Sequence, residues 1–150
     1  MAAAADLRFA LEEIVAGFRT ARPEIAVETV YGSSGAFHAQ IVNGAPFDLY
    51  FSADVDYLRK LAEEGLIAPG SEFVYAVGRI VVWAPRDSPF DTLDASALAD
   101  PRARRVAIAN PDHAPYGRAA VAAMRSLGVY EAVAPKLVLG ENVAQTLQFA

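Results

Sequence analysis

The stretch IAVETVYGSSGAFHAQIVNGAP, residues 25–46, joins a strand pattern, a glycine-flanked turn and a helix pattern without interruption. Residues 25–31 contain β-branched side chains that alternate along the chain, which predicts a β-strand. A helix is predicted over residues 36–43, and Gly44 followed by Pro46 ends it. The stretch therefore predicts one strand–turn–helix unit, with two serines held between glycines at the turn.

The same alternation is found on both sides of this unit. Upstream, residues 2–5 form a short apolar run that predicts a strand, and a helix pattern follows in which Asp6 is placed as the N-cap. The apolar positions of that helix are Leu7, Leu11, Ile14, Val15 and Phe18. Downstream, residues 48–52 predict a strand, and Asp54 is placed to cap a helix that ends at Gly65.

The second half of the chain repeats the pattern without repeating the sequence. Its predicted elements are a helix over residues 93–99, a strand over 105–110, a helix over 115–127, a strand over 136–140 and a helix that begins at Asn142. Strands that alternate with helices in this way predict an α/β fold, built from βα units around mainly parallel sheets.

Residues 72–85, EFVYAVGRIVVWAP, form an almost continuous β-like run that is longer than a typical strand. Two interpretations are open: one strand that crosses between two lobes, or a strand that is bent or bulged at Gly78. On the first interpretation the chain has two lobes, lobe I over residues 1–77 and lobe II over residues 78–150, with a hinge near Gly78.

The composition limits the possible partners. The 150 residues are 54% apolar, which is enough to bury a core in one domain or in two small lobes. The net charge is −5 and there is no run of Lys or Arg, so neither a nucleic acid nor an anionic membrane surface is expected as a partner. There is no cysteine, and the start MAAAADLRF lacks a signal-peptide pattern, so the chain as given is expected to be soluble and either mature or cytosolic.

Four predicted helices begin directly after a predicted strand. Their starts are Ala5-Asp6, Ser33-Ser34-Gly35, Pro115-Tyr116-Gly117 and Asn142-Val143. In an open α/β sheet such starts converge at the carboxyl edge of the strands, where ligands bind. A helix start has unpaired N–H groups and the positive end of the helix dipole, so converging starts can bind an anion without a cationic side chain.

Each of these motifs also has a purely structural interpretation. One serine of the pair can be the N-cap of its helix while the other is solvated. Tyr116 can pack through its ring or direct its peptide N–H into a site, and Asn142 is expected to be an N-cap in either case. Asp112 and His113 are expected to form the turn before Pro115.

Ser34 and His38 could also be a nucleophile and a base, spaced i,i+4 on one helix. No G-x-S-x-G elbow and no orienting acid accompany them, so a small Ser/His hydrolase is kept only as an alternative and no enzyme activity is expected. Two distant histidines with no carboxylate cluster predict no metal-cation site, and no cofactor is expected.

Five motifs follow one another along essentially the whole chain: AAADL, YGSSGAFHAQIVNGAPFDLYFSAD, PGSEFVYAVGRIVVWAP, VAIANPDHAPYG and LGENVAQTL. Their order resembles the periplasmic molybdate-binding proteins of ABC transporters, the ModA family within the type II periplasmic binding fold. The resemblance implies two α/β lobes that close over a tetrahedral oxyanion, molybdate or tungstate. Family members continue past Ala150, which implies a fold that is incomplete at its C-terminal side.

The resemblance also implies the ligand-binding residues, which are Ala5, Asp6, Ser33, Ser34, Tyr116 and Val143. Ser34 would donate its hydroxyl and peptide N–H, with Ser33 beside it, whereas Tyr116 and Val143 would donate peptide N–H groups. Many members have a hydroxyl residue where this chain has Ala5 and Asp6. A carboxylate facing a dianion is unfavourable in a dry site, so Asp6 is expected to use its N–H or to cap its own helix.

The implied role is that of the substrate-binding component of a transporter, located in the periplasm and docking on a membrane permease. Sulfate or phosphate is the alternative ligand, and a protonated phosphate would need an acceptor such as Asp6. A ligand sensor without a transporter is a further alternative. Binding is expected to depend only weakly on pH near neutrality, because the implied donors do not titrate there. Unpaired sheet edges make self-association of the shortened chain an additional expectation.

Overall fold

A computed structural model describes residues 1–149, which fall into two compact units, the first over Met1–Ala76 and the second beginning at Val77. The last residue of the predicted lobe II, Ala150, lies outside the described residues. The strands are β1 (Ala2–Ala4), β2 (Val30–Gly32), β3 (Tyr50–Phe51), β4 (Val106–Ala109) and β5 (Leu137–Gly140). The α-helices are α1 (Arg8–Ala21), α2 (Ser34–Val42), α3 (Val55–Glu63), α4 (Ala95–Ala99), α5 (Pro115–Ser126), α6 (Tyr130–Val133) and α7 (Val143–Gln148), with 3-10 turns at Ala5–Leu7 and Ala134–Lys136.

The first unit is built on a parallel three-stranded sheet in the order β2-β1-β3. The central strand β1 consists of alanines and is fully buried, because small side chains let a helix pack closely on the sheet. Leu11 and Val15 of α1 pack against Ala3 and form the core of this unit. The parallel arrangement confirms the prediction of βα units.

The predicted strand over residues 25–31 is wrong over most of its length, since β2 covers only Val30–Gly32. Strand pairing explains the difference: β1 has three residues and is in register with Val30 to Gly32, so residues 25–29 have no strand beside them. For the same reason the predicted strands 2–5 and 48–52 are shorter than expected.

The prediction that Asp6 is the N-cap of the first helix is also wrong. Asp6 lies inside the 3-10 turn Ala5–Leu7, and the N-cap of α1 is Leu7, which makes no side-chain capping hydrogen bond. The other capping predictions in this unit are confirmed. Ser33 accepts a hydrogen bond from Ala36 N, so α2 begins two residues earlier than predicted, and Asp54 caps α3 through Asp56 N.

The second unit contains a parallel pair, β4 and β5, in register from Val106↔Leu137 to Ala109↔Gly140. Ile108, Met124 and Val133 form its buried core. The predicted strands and the helix over 115–127 are confirmed with slightly shorter bounds, and Asn142 is the N-cap of α7. Helix α4 begins at Ala95 behind its cap Asp94, two residues later than predicted. Helix α6 was not predicted.

Residues 72–85 contain no strand, so both interpretations of this segment as β-structure are wrong. A strand needs a neighbour to satisfy its N–H and C=O groups, and within the described residues no strand pairs with this segment. Val77 and Val81 are 85% and 82% exposed, and Phe73 is 71% exposed. The apolar pattern of the segment is therefore real, but much of its apolar surface stays exposed, and packing is limited to contacts such as that of Tyr75 with Phe51.

The described helices include none that is both long and apolar enough to cross a membrane.

Candidate functional site

The predicted helix starts are brought together in two pairs, one in each unit. In the first unit Ala4 of β1 pairs with Gly32 of β2, and the strands are parallel. The segments that leave these strands, Ala5-Asp6 and Ser33-Ser34, therefore begin side by side at the carboxyl edge of the sheet. This is the position that the sequence predicted for a ligand.

Ser33 and Ser34 are both buried, with 4% and 1% of their surface exposed. Ser33 Oγ accepts the helix-capping hydrogen bond from Ala36 N at 3.4 Å, so the capping interpretation is confirmed for this serine. The interpretation of the second serine as solvated is wrong. Ser34 Oγ accepts a hydrogen bond from Ala53 N at 3.0 Å. A hydroxyl has two acceptor lone pairs and one donor, so this bond does not use the Ser34 O–H group.

The residues around β3 hold Ser34 in place, and the sequence did not indicate them. Tyr50 donates its hydroxyl to the backbone oxygen of Ser34 at 2.7 Å, and Ala53 donates to the Ser34 side chain. Burial is the main reason that the pKa of Tyr50 is raised, so this hydroxyl stays protonated and remains a donor. The only available signal was the SAD sequence directly after the predicted third strand.

Asp6 is exposed at the same sheet edge, where Ala5 before it is buried. Tyr75 donates its hydroxyl to Ser52 O at 3.0 Å. Burial raises the pKa of Tyr75 to about 12, and the negative charge of Asp6 adds to the rise. The Asp6 carboxylate therefore influences the electrostatics of this edge. The predicted role of Asp6, in which only its N–H group contributes to the site, stays a prediction.

Two raised tyrosine pKa values predict a loss of stability at high pH. Below about pH 10 Tyr50 and Tyr75 are neutral in both states; above it they ionise in the unfolded chain but stay neutral in the folded one. The free energy of unfolding should therefore fall as the pH rises above 10. For Tyr75 the fall should continue up to about pH 12, where the pKa of its hydroxyl lies in the folded state. Urea unfolding between pH 8 and 11.5 measures this, and the fall should be shallower in Tyr50→Phe and Tyr75→Phe. Identical slopes in both variants and the wild type would contradict the assignment.

The hydrolase alternative finds no support in the position of His38. Its Nε2 atom is buried and has no hydrogen-bond partner among the described residues, so it does not bond Ser34 Oγ. The imidazole instead lies 5.1 Å from the ring of Tyr57, measured between ring centroids. Ser34 Oγ is engaged with Ala53 N, and the nucleophile–base contact is not formed.

In the second unit the paired ends of β4 and β5, Ala109 and Gly140, place the starts of α5 and α7 next to each other. Gly117 makes the approach of α5 possible, because a Cβ atom at this position would lie 2.0 Å from Ala109 O. Gly117 N and Arg118 N donate back to Ala114 O at 3.0 and 3.2 Å, and they form the first turn of α5.

Tyr116 precedes these two donors at the start of α5. Its ring lies against Gly78, where an added Cβ would be 3.0 Å from the Tyr116 hydroxyl oxygen. The packing interpretation of the Tyr116 side chain is therefore supported. It does not conflict with a role for the peptide N–H, because the ring and the backbone of one residue act independently.

Asn142 caps α7 through a hydrogen bond from Gln145 N to Asn142 Oδ1 at 3.1 Å. Thr146 N donates to Asn142 O at 3.0 Å, which closes the first turn. Val143 occupies the first position of the helix, whose N–H has no intrahelical acceptor. The second unit thus brings the predicted Tyr116 and Val143 to adjacent strand ends.

The loops before α5 and α7 are also joined by a side-chain contact that the sequence did not indicate. His113 Nε2 lies 3.5 Å from Glu141 Oε2. The expected turn before Pro115 is confirmed, since Asp112 N donates to Asn110 Oδ1 at 3.0 Å. Among the described residues there is no group of three or more metal-ligating side chains close enough to bind a metal ion.

Parallel strands that lead into helix starts, with uncharged donors at those starts, are typical of α/β proteins that bind small ligands. The chain belongs to the family of bacterial extracellular solute-binding proteins, whose model matches residues 1–150.

Two relatives and one solved structure specify the likeness. The chain is 43% identical to the molybdate-binding protein ModA of Rhodobacter capsulatus over 99% of its length, and 44% identical to that of Azotobacter vinelandii over 82%. It matches the solved structure of the Azotobacter vinelandii periplasmic molybdate-binding protein with a TM-score of 0.86 at 34% identity. This match covers 98% of the chain and 64% of that structure. The chain spans 58% and 48% of the lengths of the two ModA relatives. These matches confirm the resemblance and the fold class, and the relatives are named as binding proteins, not as enzymes.

Proposed function

We propose that this chain binds a tetrahedral oxyanion, molybdate or tungstate, as the substrate-binding component of an ABC transporter. The observation that carries the proposal is Ser34: its buried hydroxyl stands at a helix start with one lone pair engaged by Ala53 N at 3.0 Å. The remaining donor capacity suits an acceptor-only ligand, which a fully deprotonated oxyanion is. The molybdate-binding names of the relatives support the choice of ligand.

The other binding groups in this proposal are also uncharged. Tyr116 and Val143 donate their peptide N–H groups from the second unit, and Ser33 and Ala5 line the site beside Ser34 in the first. Helix starts stabilise anions through these N–H groups and through the helix dipole, so the dianion needs no basic side chain. In this proposal the chain performs no chemistry and carries neither a cofactor nor a metal-cation site.

Ligand choice depends on the size of the ligand and on protonation. Molybdate, tungstate and sulfate have the same charge and shape but different radii, so the spacing of the donors selects among them. Phosphate carries a proton near neutral pH and needs an acceptor, for which Asp6 is the candidate. Sulfate or phosphate is therefore the second candidate ligand, and the exposed carboxylate of Asp6 is the observation that favours phosphate.

The proposed place of action is the periplasm, where the loaded protein docks on a membrane permease. The Azotobacter vinelandii relative is a periplasmic protein, which supports this assignment. A ligand-sensing role without a permease would use the same site. Pull-down of the molybdate-loaded chain with a permease reconstituted in vesicles distinguishes the two roles, since only the transport role requires ligand-dependent binding to the permease.

Thermal unfolding with molybdate, tungstate, sulfate and phosphate tests the ligand assignment. A ligand at 100 times its Kd stabilises the folded state by about 2.7 kcal/mol, which raises Tm by roughly 5–10 °C in a protein of this size. We expect this rise with molybdate and tungstate, and a much smaller one with sulfate and phosphate. A rise with phosphate alone would support the alternative ligand, and no rise with any of them would contradict the proposed function.

Self-association of this chain is proposed from the segment 72–85. It exposes Phe73, Val77 and Val81 on backbone that pairs with no strand among the described residues. Such a segment can pair with the same segment of a second copy. Light scattering should therefore show dimers or larger species at high concentration, and Val77→Lys with Val81→Lys should shift them towards monomer. A monomeric wild-type chain at every concentration would contradict self-association.

A further inference from the structure

The contact between His113 and Glu141 joins the two loops from which the second unit presents its proposed donors. His113 precedes Pro115 in the loop before α5, and Glu141 precedes Asn142 in the loop before α7. Their side chains approach to 3.5 Å between His113 Nε2 and Glu141 Oε2. The two loops follow strand ends that are paired in the sheet, so this contact lies beside the starts of both helices.

Both partners are anchored by their own backbones. Glu141 N donates to Gln145 Oε1 at 2.6 Å, which fixes Glu141 to the first turn of α7. His113 N donates to Asn110 O at 3.4 Å, and Asn110 N in turn donates to Gly140 O at 2.7 Å. Because both backbones are held in this way, a contact between the two side chains links the positions of the two loops.

We propose that His113 and Glu141 are positioning residues for the oxyanion: their contact sets the spacing between the Tyr116 and Val143 peptide N–H groups. The inference rests on the proposed function. Neither side chain needs to touch the ligand, because the effect is transmitted through the loops.

The test is calorimetric titration of molybdate into the wild type, His113→Gln, Glu141→Gln and the double variant. Each single substitution should weaken binding roughly 2- to 5-fold, as expected for a partly exposed contact of this kind. The double variant should bind no worse than the weaker single variant, because the two side chains act through one contact. Glu131→Gln, an exposed carboxylate in the same unit, is the matched control and should leave the affinity unchanged.

Two results would overturn the role of the pair while leaving the proposed function standing. One is a set of variants that bind as tightly as the wild type. The other is tighter binding by Glu141→Gln, which would mean that its carboxylate only repels the ligand. A wild-type chain that binds no oxyanion would overturn the proposed function, and the role of the pair with it.

Discussion

Replacing Ser34 with alanine is expected to weaken molybdate binding by roughly 10- to 100-fold. The substitution removes a buried side-chain hydroxyl that accepts a hydrogen bond from Ala53 N at 3.0 Å and does not use its O–H group in that bond. A hydrogen bond to a charged group is worth about 1.5–3 kcal/mol, which corresponds to this range of affinity. Titration calorimetry with the purified variant at pH 7 measures the loss directly.

The same substitution also affects folding, so the experiment needs controls. Without the Ser34 hydroxyl, Ala53 N loses its acceptor, which costs about 1–3 kcal/mol of stability. Ser33→Ala should remove a helix cap worth about 1 kcal/mol and weaken binding less. Ser126→Ala changes an exposed serine at the end of α5 and should alter neither quantity. A folded Ser34→Ala variant that binds molybdate as tightly as the wild type would contradict the proposed site.

Replacing Gly117 with alanine is expected to produce the largest loss of stability among the glycine substitutions considered. The new Cβ would lie 2.0 Å from Ala109 O and 2.7 Å from Ala109 C, and both are backbone atoms that cannot rotate away. The start of α5 must then move away from β4, which also moves the Tyr116 peptide N–H. We expect destabilisation at the upper end of the ~1–3 kcal/mol typical of overpacking, or above it, together with weaker oxyanion binding.

Gly17→Ala is the matched control for this prediction. Gly17 lies inside α1, and an added Cβ there has no heavy atom within 4 Å. Alanine is favoured over glycine in a helix interior by about 1 kcal/mol, so this variant should be slightly more stable than the wild type. Urea unfolding of both variants provides the comparison. Equal stability of Gly117→Ala and the wild type would mean that the close approach of α5 to β4 is not a constraint.

Local signals predicted the fold well wherever a few neighbouring residues determine the structure. Asp54 and Asn142 cap their helices as expected, because capping depends on hydrogen bonds within one turn. Apart from the predicted Asp6 cap, which failed within one turn, the failures came where the outcome depends on a partner elsewhere in the chain. Residues 25–29 and 72–85 have strand-like sequences, but no strand lies beside them among the described residues. Sequence pattern records the tendency to form a strand, whereas pairing decides whether the strand exists.

The candidate site shows the same division. The GSSG and APYG motifs were recognisable from their glycines and their position after a strand. The supporting contacts were not: Tyr50 and Ala53 bond Ser34 across 16 and 19 residues of sequence, and His113 meets Glu141 through the pairing of β4 with β5. No local pattern marks residues that act at such sequence separations, so only the folded structure identifies them.

Equilibrium titration of molybdate into the chain, followed by calorimetry in the presence and absence of excess sulfate, tests the oxyanion-binding assignment most directly. The proposed function predicts saturable binding of one molybdate per chain, little affected by sulfate, because uncharged donors at fixed spacing select the ligand by size. Absence of saturable binding, or complete displacement of molybdate by an equal concentration of sulfate, would contradict it.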